Sequence, residues 1–154
     1  MEHKRKEQHM KKLVTAVTAT LALAASVPVM AEPAFDRDFI VKISGDVYRA
    51  YREEGPAGML DLERSCWAEM SEKDIQTAQV CAQVNMTGIV IEESIAQSRG
   101  RQPVYTYNVG VAMDRAKTEM GRVGLPEESY KAVMKGAAQS MVTIVMGLQA
   151  AGMR

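Results

Sequence analysis

Cys66 and Cys81 constrain the fold of this chain more than any other pair of residues. Each sits in an apolar pattern of helical period. Met59, Leu62, Cys66 and Met70 recur at spacings of 3, 4 and 4, and Cys81, Val84, Gly88, Ile91 and Ile95 recur at 3, 4, 3 and 4. Between the two patterns lies Ser71-Glu72-Lys73-Asp74, where Ser71 can cap the second helix and the acidic residues suit its first turn. The midpoint of the two cysteines falls next to that turn. Antiparallel helices joined there would bring both sulfurs to the same height, so the spacing predicts a disulfide across an αα-hairpin. Closing a loop of this length stabilises a fold by roughly 3 kcal/mol in the chain-entropy model. A redox-active pair is the competing reading, but it ordinarily uses Cys-x-x-Cys, which this chain lacks.

A structural disulfide calls for an oxidising compartment, and the N-terminal residues read as a route to one. Lys11-Lys12 precedes the apolar run Leu13 to Val27, and Val29 and Ala31 are the small residues of a cleavage site. This is the pattern of a secretory signal peptide over residues 1–31, leaving a domain at 32–154. The apolar run is short for a bilayer span and Pro28 follows it directly, which argues against a membrane anchor. The expected location is the periplasm or the exterior, with no stable anchor after cleavage. Met10-Lys11-Lys12 is also a more typical start than Met1.

Removing that stretch changes the composition that matters. It takes with it five of the 19 basic residues, two of the 19 acidic ones, and both histidines, His3 and His9. Residues 32–154 hold 14 basic against 17 acidic side chains, a net charge of −3. A mildly acidic domain lacks the electrostatic footprint of a nucleic-acid binder. Without histidine it has no Ser-His-Asp or Cys-His catalytic arrangement and no His-containing zinc site.

The rest of the chain reads as helix. Phe35, Phe39, Ile43 and Val47 step by fours, giving a first helix over about Asp36–Glu53 that Gly55-Pro56 ends. The stapled hairpin follows, about Ala57–Met70 and Glu72–Ser98. A fourth helix over about Tyr105–Arg122 carries Val109, Ala112/Met113, Ala116 and Met120 on one face. A fifth, about Pro126–Ala151, carries Tyr130, Val133/Met134, Ala137/Ala138, Met141, Val145 and Leu148. The expected fold is all-α, a small single-domain bundle of about five helices with one interhelical disulfide.

The final helix has no charged residue from Gly136 to Met153, and Gly136, Ser140, Thr143 and Gly147 form a second ridge of small residues. The expectation is a central helix packed by neighbours on most sides. A homodimer interface is the alternative, and a membrane span is disfavoured by three glycines and two glutamines.

Candidate chemistry is sparse. Nine methionines in residues 32–154 raise copper(I) binding. Met113/Met120 and Met134/Met141, however, lie seven apart inside apolar stripes, where flexible core filling is the simpler account. No metal or cofactor site is therefore expected. Glu92-Glu93 diverge by about 100° on a helix, and Asp61 and Glu63 diverge more, so all four are expected on solvated faces. No Gly-x-Ser-x-Gly or Ser-x-x-Lys pattern is present. Trp67 is expected to shield the disulfide.

The segment Arg99–Tyr107 is the most suggestive surface. Arginine and tyrosine are enriched in binding hot spots, and Gly100 and Pro103 shape an exposed loop. Arg99, Arg101, Tyr105 and Tyr107 are the candidate partner-binding residues. The bland alternative is a connector whose tyrosines fold back onto the helices. The sequence thus reads as an exported protein that acts by protein–protein interaction, such as an inhibitor, an adaptor or an immunity-type factor, without catalysis. A sensor or carrier of copper(I) or of a small apolar or lipid ligand is the alternative. An enzyme ranks below both.

Overall fold

The computed structural model of the chain describes residues 36–70 and 74–154, all within a unit running from Pro33 to Arg154. The signal peptide expected over 1–31, Phe35 and the proposed Ser71 cap lie outside the described residues. Six α-helices follow in order: α1 (Arg37–Glu54), α2 (Pro56–Glu69), α3 (Ile75–Ser98), α4 (Val109–Arg122), α5 (Glu127–Gln139) and α6 (Met141–Ala150). A 3-10 turn, Tyr105–Tyr107, precedes α4, and no strand occurs among the described residues.

Local chemistry accounts for most of the boundaries. Asp36 caps α1 by accepting from the Asp38 amide at 3.2 Å, and Gly55 ends it at φ 68°, a left-handed conformation that costs glycine little. Pro56 then opens α2 at the position where a missing N–H does no harm. Asp74 caps α3, accepting from the Gln76 and Thr77 amides at 3.0 and 3.2 Å. The second arm of the hairpin therefore starts at Ile75 rather than at Glu72. Likewise α4 starts at Val109, because Asn108 accepts from the Gly110 amide at 3.1 Å and the two tyrosines before it form their own tight turn.

The disulfide is present. Cys66 and Cys81 are joined with Cα atoms 5.5 Å apart, one on α2 and one on α3. Helix α3 is the axis of the bundle: thirteen of its residues are buried, including every residue from Cys81 to Ile89, and it packs against all five other helices and the 3-10 turn. The central position expected for the last helix thus belongs to α3. Its composition explains this, since Glu92 and Glu93 are the only charges in 24 residues.

The single C-terminal helix expected over 126–151 is instead two, meeting at Ser140. The Ser140 hydroxyl donates back to the Gly136 carbonyl at 3.2 Å and accepts from the buried Gln83 amide at 2.9 Å. Side-chain competition for a helix carbonyl is a recognised cause of bending. The buried stripe continues in step across the break, from Val133 and Ala137 to Ile144 and Leu148. Ile144, Gly147 and Leu148 are buried, whereas Met141 and Val145, expected on the inner face, point out to water. Gly147 belongs where it is, because a Cβ there would come within 2.9 Å of the Ser44 Cβ and 3.0 Å of the Val41 Cα on α1.

Candidate functional site

Two carboxylates expected to be solvated are fully buried, and each is met by an arginine. Asp61 and Glu93 do lie outside, but Glu63 and Glu92 have no exposed surface. The helical phase explains Glu63: four residues before Trp67, it faces the same way as that buried indole. Trp67 is buried in the core and donates from Nε1 to Glu63 at 3.4 Å.

Glu63 gathers donors from four elements. Arg115 of α4 reaches it in a fork, Nε to Oε1 at 2.9 Å and Nη2 to Oε2 at 2.8 Å. Asn85 of α3 donates to Oε1 at 2.8 Å and to the Ala112 carbonyl at 3.1 Å. The Tyr107 hydroxyl donates to Oε2 at 3.5 Å. Arg115 completes its shell with the Thr106 carbonyl at 2.8 Å, and its guanidinium carbon lies 5.5 Å from the centre of the Tyr107 ring. Charge-assisted bonds of this density are what a buried carboxylate requires.

The electrostatics follow from that packing. Burial pushes the Tyr107 hydroxyl well above its ordinary value, and the Glu63 charge adds to the shift while Arg115 opposes it. Burial pulls Arg115 downward, but the hydrogen bonds and charge of Glu63 more than offset this, and the guanidinium is held more firmly protonated than usual.

Glu92 anchors the connector. Arg101 Nη1 and the Val104 amide both donate to its Oε1, at 2.5 and 2.8 Å, while Oε2 has no hydrogen-bond partner among the described residues. Arg101 also donates to the Gln102 carbonyl at 2.8 Å. The four loop residues singled out from sequence therefore divide. Arg99 is exposed and Tyr105 is 78% exposed, whereas Arg101 is tied to Glu92 and Tyr107 is completely buried. Tyr107 lies so close to α3 that a Cβ on Gly88 would fall 2.4 Å from its ring. Half of the segment folds back onto the helices, as a connector would.

Methionines serve the interior at several points. Met59 and Met120 are among the largest fully buried side chains, and Met70, Met86 and Met134 are buried with them. Among the described residues no cluster of three or more His, Cys, Asp or Glu side chains could hold a metal ion.

One outer surface stands apart. Six large hydrophobic residues are exposed among the described residues, and four of them, Met141, Val142, Val145 and Met146, belong to the ten residues of α6. Gln149 and Ala150 extend the same exposed strip, which carries no charge. Beside it, between α1 and α6, opens a cleft of about 720 Å³. The sequence signal for this surface was the uncharged stretch from Gly136 to Met153.

These features define an all-α bundle stapled by one disulfide, with two arginine-neutralised carboxylates inside and an apolar strip outside. Comparison with protein-family models, with curated proteins and with solved structures finds no match.

Proposed function

We propose that this chain is an exported protein that acts by binding another protein chain, with the outward face of α6 as its docking surface. The observation that carries the reading is the concentration of exposed aliphatic side chains on that one helix, with Val142 73% exposed. Leaving such groups in water forgoes roughly 1 kcal/mol per half-buried side chain, and clustered patches of this kind mark interaction sites. α6 itself rests chiefly on α1, while a disulfide joins α2 to α3 and Glu63 ties α2, α3, α4 and the 3-10 turn together. Export is supported by the leader pattern over 1–31 and by the disulfide. No helix among the described residues is long and apolar enough to cross a membrane.

Chemical cross-linking in the native host tests the binding surface. The expected result is an adduct that Val142→Asp abolishes and that Arg99→Glu with Tyr105→Ser leaves intact. An adduct lost only in the second variant would move the surface to the connector, and no adduct at all would remove the binding reading. Export is read separately from the mass of the recovered protein, which should begin at Glu32 and resist alkylation until reduced.

A further inference from the structure

Oxidants of the peroxide class attack the softest accessible sulfur first, and a free thiolate is ordinarily that target. This chain offers none, because both cysteines are joined in the disulfide. Its single tryptophan, Trp67, is buried. The thioethers are what remains, and exposure separates the nine that fall among the described residues. Met59, Met70, Met86, Met120 and Met134 are buried, and Met113 and Met153 are half-buried. Met141 and Met146 alone of the nine are exposed, each at 42%, and both stand on α6.

Their placement around that helix matters as much as their exposure. At about 100° per residue, Met141 and Met146 lie about 140° apart, with Val145 and Val142 between them. The two thioethers therefore form the edges of the exposed apolar strip, and the valines form its centre.

We propose that Met141 and Met146 are a paired oxidation site through which a peroxide closes the docking face of α6. The sulfur lone pair attacks one peroxide oxygen, so that an S–O bond forms as the O–O bond breaks. The displaced hydroxide takes the proton from the new S–OH group and leaves as water. Each thioether loses two electrons and becomes a sulfoxide, and each peroxide gains two. A sulfoxide oxygen is a hydrogen-bond acceptor, so covering the oxidised strip with an apolar partner would strand a polar group out of water. The buried methionines are shielded by the packed core, and brief oxidation leaves the fold in place. The effect on binding rests on the reading of α6 as a docking face, whereas the selectivity of oxidation does not.

Brief treatment of the folded full chain with hydrogen peroxide, followed by peptide mass mapping, tests the site. Met141 and Met146 should gain oxygen at least about tenfold faster than Met59, Met120 and Met134, with an unchanged circular-dichroism spectrum. Equal rates at exposed and buried methionines would overturn the proposal. Retention on a phenyl column under native conditions reads the strip without any partner. The oxidised chain should elute earlier, and Met141→Leu with Met146→Leu, which keeps volume and apolarity, should remove that shift. A shift that persists in the double variant would place the effect elsewhere and overturn the proposal. When purified chain is cross-linked in host extract, prior oxidation should reduce the adduct about tenfold and leave that of the double variant unchanged. An undiminished adduct would overturn the closure. An untreated chain that forms no adduct, with the map and the column as expected, would remove the docking reading and the closure while leaving the oxidation site.

Discussion

Glu63 and Arg115, 52 residues apart, meet through two parallel hydrogen bonds of 2.9 and 2.8 Å. That pair joins α2 to α4 and fixes how the hairpin seats against the second half of the chain. Breaking a buried ion pair from one side strands the other charge, which typically costs about 3–5 kcal/mol. Arg115→Met should therefore lower the urea midpoint by far more than an average surface change. Replacing both partners, Glu63→Leu with Arg115→Met, should cost less than the sum of the single changes. Additive losses would show that the two side chains act independently.

Gly88 faces the Tyr107 ring with no room between them for a Cβ. The ring occupies the space where a Cβ would stand, and it is boxed in on every other side because Tyr107 has no exposed surface. Gly88→Ala should destabilise by about 1–3 kcal/mol through overpacking. In a Tyr107→Leu background the same change should cost much less, since the added methyl then has room. Urea unfolding of the four species measures this, and an undiminished penalty in the double variant would refute the contact.

Much of this frame was legible in the sequence. The periods around Cys66 and Cys81 led to the disulfide because two independent patterns, a short turn and a shared midpoint all agree on one geometry. The break at Ser140 was hidden because nothing local in Ala138-Gln139-Ser140-Met141 stops a helix; the partner of Ser140 is Gln83, 57 residues away. The same limit hid the burial of Glu63 and Glu92. A carboxylate on a helix looks solvated until its arginine is known, and Arg115 and Arg101 are brought in by tertiary folding. One clue to α3 was present and informative: 24 residues with two charges can be surrounded, whereas the C-terminal stretch proved uncharged for its outer face.

The raised ionisation of Tyr107 gives the fold an alkaline limit. Its neutral form is favoured inside by burial and by the Glu63 charge, while in the unfolded chain a tyrosine ionises near pH ~10. Above that pH the folded protein retains a proton that the unfolded chain has lost, so stability falls as pH rises, by about 1 kcal/mol per pH unit for one group. The urea midpoint should drop between pH ~9.5 and ~11, and Tyr107→Phe should flatten that slope. An equally steep slope in the variant would assign the limit to other groups.

Arg101 is the latch of the connector, and its removal should loosen that segment selectively. Its guanidinium is 33% exposed while the carboxylate it holds is fully buried, and the hydrogen bond that Arg101 donates to Glu92 holds it above its ordinary value. Arg101→Met would leave Glu92 with the Val104 amide as its remaining donor, so the Val104 contact should open more often. Amide exchange at Val104 should speed up by on the order of tenfold, while amides around Cys81 in α3 keep their protection. Arg99→Met, on the neighbouring exposed arginine, should change neither. Uniform acceleration across α3 would show instead that Glu92 and Arg101 support the whole bundle rather than the loop that crosses it.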